Sequence, residues 1–130
     1  MGNSYGAICR KCGGRFEVRE GGGFAFHLLH CTKCGEEKTV RFDELGEIHA
    51  AYLKGLQGPY AVATSEHDAD VRNTFPGEAI GEKEYHKQVE AFAGNCQCSG
   101  RYTFRAKPAC PGCGAKAFDK DPDANHRCYD

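Results

Sequence analysis

With 130 residues, no Trp, one Met and 17 Gly, the chain has little apolar material for one large core, and its length suits one domain or two very small ones. A formal net charge of −1 argues against the strongly basic surface that binds nucleic-acid phosphates. No stretch approaches the ~20 apolar residues of a membrane span, and the opening MGNSYGAICRK has no apolar run of signal-peptide length.

Met1 to Ile8 reads as a short, loosely ordered polar lead-in to CRKCGG at 9–14. Arg15 to Glu20 alternates, with Phe16 and Val18 on one side, the period of a half-buried strand. Gly21, Gly22 and Gly23 suit a hairpin turn, after which Phe24, Phe26 and Leu28 return as a second strand toward CTKCGE at 31–36. Val40 and Phe42 mark a third strand, so residues 1–42 are expected to form a three-stranded ribbon. From Asp43 the period changes: Leu45, Ile48, Tyr52 and Leu53 recur at helical intervals before Gly55, predicting a helix over 44–54.

Residues 57–80 carry two prolines and several acidic side chains without a sustained period, the pattern of a long irregular loop. Tyr85, Val89 and Phe92, followed by Gly94, predict a second helix over 82–93. Residues 95–120 are expected to form a second small ribbon, with CQCSG, a strand in RYTFRA, CPGCGA and a returning strand near Phe118. The tail 121–130 is polar and expected to be flexible. The fold expected is α+β: two antiparallel ribbons joined by two helices and an acidic connector spanning 43–94, their mutual packing left open.

The cysteines carry the chemistry. Two cysteines two residues apart, followed by glycine, turn both sulfurs toward one ion and aim backbone N–H groups at the thiolates. Taken in chain order, Cys9, Cys12, Cys31 and Cys34 make one four-cysteine zinc site, and Cys96, Cys98, Cys110 and Cys113 make a second. A disulfide framework is the competing reading, but eight of nine cysteines fall into close metal-knuckle pairs, which favours a reduced, cytoplasmic protein holding two zinc ions. His27 and His30, in HLLHC, are alternative ligands or neighbours of the thiolates. Cys128, between Arg127 and Tyr129, is an odd thiol; an activated role for it competes with an incidental one.

CRKCGG and CTKCGE resemble the knuckles of the zinc-ribbon class, which occurs in transcription factors, polymerase subunits, ribosomal proteins and small adaptors. The series GGGFAFHLLHCTKCG, FDELGEIH, EYHKQVEAFAGNCQCSGRYTF and CPGCGA, covering Cys9 to Phe118, is similar to small bacterial proteins with two zinc ribbons. That resemblance implies two zinc sites and names no activity. CPGCGA also resembles a rubredoxin knuckle, which implies iron as the alternative ion, although the CxC opening and the short interval depart from that pattern.

The charge is unevenly spread: 7 Lys/Arg against 4 Asp/Glu over 1–41 gives +3, 4 against 10 over 42–94 gives −6, and 6 against 4 over 95–130 gives +2. Two zinc ions on eight thiolates would bring the ribbons near +1 and 0. These values favour a non-enzymatic adaptor that presents its ribbons to a protein partner. Nucleic-acid binding is the alternative, since Arg15, Lys33, Arg41, Arg101, Arg105 and Lys107 interleave with Phe16, Phe42, Tyr102 and Phe104. A redox role through iron or Cys128 is another alternative. An enzyme built on His67, Asp68 and Asp70 ranks lowest; no phosphate-loop, nucleophile-elbow or HExxH motif occurs, no catalytic residue is named, and no small-molecule substrate is expected.

Overall fold

The computed structural model describes residues 2–23, 25–61, 64–124 and 126–129. The fold is α+β, with seven strands and four helices among these residues. The strands are β1 (Gly2–Cys9), β2 (Arg15–Glu20), β3 (Phe26–Cys31), β4 (Glu37–Arg41), β5 (Tyr102–Thr103), β6 (Phe118–Lys120) and β7 (Arg127–Tyr129). The helices are α1 (Phe42–Leu45), α2 (Glu47–Gly55), α3 (Ser65–Thr74) and α4 (Glu82–Ala93).

The strands do not assemble as two sequential ribbons. β1 forms the middle of one antiparallel sheet, with β2 along one edge. Along the other edge β6 pairs at Ala7–Cys9 and β7 at Gly2–Ser4. The second sheet runs β4–β3–β5, with Cys31 opposite Tyr102. The expected ribbon of 1–42 is therefore divided, with β2 in one sheet and β3 and β4 in the other. The expected ribbon of 95–120 is divided as well, giving β5 to one sheet and β6 to the other. Gly21 at φ 82° begins the redirection, and Gly22 packs so closely on the Phe26 carbonyl that a Cβ would collide with it. The predicted role of Phe24 lies outside the described residues.

Two segments expected to be loose are strands. The lead-in is β1, whose buried positions are Gly2, Ser4, Ala7 and Cys9. Such small side chains show no hydrophobic period, and pairing on both edges determines the strand instead. A Cβ at Gly6 would run into Ala124, so the close approach of the 121–124 turn depends on that glycine. Part of the tail is β7, placed on β1 by register at Cys128 opposite Asn3.

The first predicted helix is two pieces, because Gly46 at φ 56° breaks it between α1 and α2. The second coincides with α4. The predicted loop 57–80 contains α3, bounded by Pro59 and Pro76. This helix has no apolar stripe; its inner face is held by the buried Asp68 carboxylate, which accepts from the Tyr60 N–H and the Thr64 hydroxyl, both at 2.7 Å. Lys54 on α2 donates to the Phe75 and Gly77 carbonyls just beyond α3, at 3.0 and 2.6 Å.

The core lies between the second sheet and the helices: Leu29, Val40, Leu45, Tyr85 and Val89, with Ile48, Tyr52, Ile80, Tyr102 and Phe104 packed around them. β3 is buried at every position after Phe26. The two sheets are tied through His30, which hydrogen-bonds the Arg19 backbone, and through Arg19, whose guanidinium lies 2.9 Å from Glu37.

Candidate metal centres

Each knuckle is built by local hydrogen bonds. At the first, Cys9 N–H donates to the Gly14 carbonyl and Gly13 N–H returns to the Cys9 carbonyl, both at 2.9 Å, while Lys11 N–H approaches Cys9 Sγ at 3.4 Å. At the second, Cys31 N–H donates to Glu36 at 2.9 Å and Lys33 N–H reaches Cys31 Sγ at 3.3 Å. At CPGCGA, Cys110 N–H donates to Ala115 and Gly114 N–H to Cys110, both at 2.8 Å. The residue after the second cysteine sits in the left-handed region in all of these: Gly13, Gly35 and Gly114 have φ of 72°, 73° and 77°.

The shortened knuckle CQCSG uses the same turn with one residue fewer. Ser99, not Gly100, takes the left-handed place, at φ 76°. The glycine of this motif therefore does not supply the turn. Gly100 is needed for closeness, because a Cβ there would collide with Cys31 Sγ.

The knuckles then meet across the chain. Cys9, Cys12, Cys110 and Cys113 form one group, and Cys31, Cys34, Cys96 and Cys98 the other; in each, all four sulfurs lie within 4.8 Å of one another. This corrects the chain-order grouping: Cys9 and Cys12 do not meet Cys31 and Cys34, nor do Cys96 and Cys98 meet Cys110 and Cys113. The physical reason is strand pairing. β6 lies on β1 and brings the Cys110 knuckle to Cys9, while β5 lies on β3 and brings the Cys96 knuckle to Cys31. Arg10 N–H to the Ala117 carbonyl, 3.0 Å, and Thr32 N–H to the Arg101 carbonyl, 2.9 Å, fasten the two joins.

The groups fit a metal ion. Across knuckles the sulfurs stand 3.5 Å (Cys9–Cys113), 3.6 Å (Cys12–Cys110), 3.3 Å (Cys31–Cys98) and 3.5 Å (Cys34–Cys96) apart. Four thiolates about 2.3 Å from a tetrahedral ion would be roughly 3.8 Å apart, so little movement separates these quartets from a closed site. The electrostatics agree. Hydrogen bonds from the Cys12 and Lys11 N–H groups draw the Cys9 thiol down to about 6. At Cys31 burial pushes the thiol up, but the Cys34 and Lys33 N–H groups outweigh it and bring it to about 6. Cys34 receives the Glu36 N–H, yet burial and the neighbouring thiols push it up to about 12; Cys113 receives the Ala115 N–H and is pushed up to about 11 by Cys9 and its other neighbours. Each quartet thus holds a thiol that ionises readily beside one that does not, and a cation is what lets all four ionise together.

The remaining sequence candidates lie elsewhere. His30 faces the Arg19 backbone. His67 Nδ1 lies 3.2 Å from the Asp68 carboxylate, whereas Asp70 is exposed and its carbonyl accepts from the Thr74 hydroxyl. Cys128 is an exposed free thiol with Sγ 3.5 Å from Asn3 Oδ1. A cluster the sequence reading missed surrounds Tyr85, which is 0% exposed: its hydroxyl lies 2.7 Å from both His27 Nε2 and His49 Nδ1. The available signal was a tyrosine on the inner stripe of α4, whose hydroxyl must find a partner when buried. Burial lowers both histidines to about 4 and raises Tyr85.

Fold and site together define an α+β protein with two four-cysteine centres able to hold metal ions. The chain belongs to the family described as Domain of unknown function (DUF8255), which matches residues 5–119 and so takes in all eight clustered cysteines and the four helices. No curated protein and no solved structure matches it. No helix among the described residues is long and apolar enough to cross a membrane.

Proposed function

We propose that both centres hold zinc and that the protein is a non-enzymatic adaptor in a reducing, cytoplasmic setting, its two ions clasping the N-terminal half of the chain to the C-terminal half. One observation carries this reading: each sulfur quartet takes one knuckle from either half. An ion bound by four protein thiolates has no open position for water or substrate, so its contribution is to fix the fold. The surface so fixed presents a near-neutral sheet region beside an acidic helical region, a distribution better matched to a protein partner than to phosphates.

Elemental analysis and absorbance of protein purified without added metal test the ion: about two zinc per chain and a colourless solution are expected. Stoichiometric iron with visible thiolate-to-metal absorption would overturn the zinc assignment. For the adaptor role, cross-linking at natural abundance is expected to give one discrete protein adduct that disappears when either quartet is removed. Tight single-stranded RNA or DNA binding that falls steeply with salt would replace the protein partner with a nucleic acid.

A further inference from the structure

Between α2 and α3 lies a cavity of about 430 Å³, within the range that holds small organic ligands. Its walls include Phe42, Leu53, Tyr60 and Val71, with His49 among them. The Phe42 and His49 rings stack at 4.0 Å, and Tyr60 stands nearly perpendicular to Phe42 at 5.3 Å. A second cavity, of about 470 Å³, is lined by His27, Tyr52, Phe104 and others, and Tyr60 borders both. Among the described residues, neither cavity gathers three or more metal-binding side chains into a cluster.

His49 is 7% exposed and His27 6% exposed. Each gives one ring nitrogen to Tyr85: His49 through Nδ1, His27 through Nε2. The outer nitrogens, His49 Nε2 and His27 Nδ1, have no partner among the described residues. Each histidine lines one of the two cavities and keeps one ring nitrogen that Tyr85 does not use.

Valence then links the two cavities. The Tyr85 hydroxyl has one proton, so it donates to one imidazole and accepts an N–H from the other. When it donates to His49 Nδ1, His49 carries its proton on Nε2, and His27 must carry its proton on Nε2 to donate back. When it donates to His27 Nε2, both rings carry their protons on Nδ1. The outer nitrogens are consequently always opposite, one a donor and the other an acceptor.

We propose that the cavity between α2 and α3 binds a neutral, planar aromatic ligand whose polar edge hydrogen-bonds His49 Nε2, and that Tyr85 passes the donor or acceptor choice made there to His27 Nδ1 in the second cavity. The stacked and perpendicular rings select a flat apolar body. The single unpartnered nitrogen selects one polar edge. Charged ligands are disfavoured, since the Asp68 carboxylate is already satisfied by Tyr60, Thr64 and His67, and Arg41 at the rim is paired with Asp43 at 2.7 Å.

The test is long-range ¹H–¹⁵N NMR of the histidine rings in full-length, metal-loaded protein, titrated with indole, an N–H donor, and with isoquinoline, a nitrogen acceptor. Saturable binding on the order of 1 mM or tighter is expected for each. Indole should move His49 and His27 together to the Nδ1–H form, and isoquinoline should move both to the Nε2–H form. Val71→Phe, which fills the cavity from α3 without touching the relay, should weaken both probes by about tenfold or more with metal content unchanged. Tyr85→Phe should leave His27 indifferent to either probe; if that variant does not fold, Val71→Phe and the wild-type spectra still decide. No saturation at His49, or no effect of Val71→Phe, would overturn the site. Rings found in opposite tautomers, or a His27 that ignores the probe in the wild type, would overturn the relay.

Discussion

Replacing Cys12 and Cys113 together by serine removes two ligands from one quartet and none from the other, so the double variant should keep one metal ion per chain. Replacing Cys12 and Cys34 removes one ligand from each quartet, and that variant should lose both ions or hold them far more weakly. Sequential grouping reverses these outcomes. The energetic stakes follow from the spans: Cys9 and Cys113 are 104 positions apart and Cys31 and Cys98 are 67 apart. In the chain-entropy treatment of a cross-link, closing such loops is worth about 4.7 and about 4.4 kcal/mol, against about 3 kcal/mol for a loop of 15 to 20 residues. The loops are nested, so closing one shortens the other and the two contributions sum to less than their separate values. A chain of this size is stable by about 5–15 kcal/mol, so losing either clasp should remove a large part of the total. Metal per chain by elemental analysis is the assay, paired with thermal unfolding and with Cys128→Ser as the control that keeps two ions. One ion retained in Cys12→Ser/Cys34→Ser, with none in Cys12→Ser/Cys113→Ser, would refute the crossed grouping.

Two further predictions concern the interior. His27 and His49 titrate near 4 when folded, mainly because they are buried, against roughly 6.5 when unfolded. The unfolded chain therefore takes up these protons first as the pH falls. Stability from the two rings is complete above pH 6.5, is lost between 6.5 and 4, and is constant below; by pH 5.5 each ring should have cost about 1.4 kcal/mol. Urea unfolding over this range, at pH values where metal content is unchanged, should show the slope, and a flat profile would show that the rings are not buried neutral. Gly100→Ala should spare the Cys9 quartet and disrupt the Cys31 quartet, since the new methyl meets Cys31 Sγ. One ion per chain is expected, and two ions with unchanged melting would show that the CQCSG turn can back away.

Legibility in the sequence followed the range of the interactions. The knuckles were readable because their hydrogen bonds close within five or six residues, as from Cys9 to Gly14 and from Cys110 to Ala115. Helix α4 was readable because Tyr85 and Val89 repeat on one face, both fully buried. Helix α3 was not, because its anchor is a carboxylate, and Asp68 reads as an exposed acid until Tyr60 and Thr64 are brought to it. β1 was missed for a related reason: Gly2, Ser4 and Ala7 bury well but show no hydrophobic period.

By itself, then, the sequence determined that this chain makes four thiol knuckles within an α+β fold, because each knuckle is a local turn, and in three of them a glycine after the second cysteine suits the left-handed region. It did not fix which knuckles share an ion, and the chain-order grouping read from it was wrong, since four equivalent pieces can pair in three ways and thiolates are chemically identical. Only the tertiary structure decided that, by laying Phe118 beside Cys9 and Tyr102 beside Cys31, and the same packing brought two histidines from distant segments onto the one hydroxyl of Tyr85.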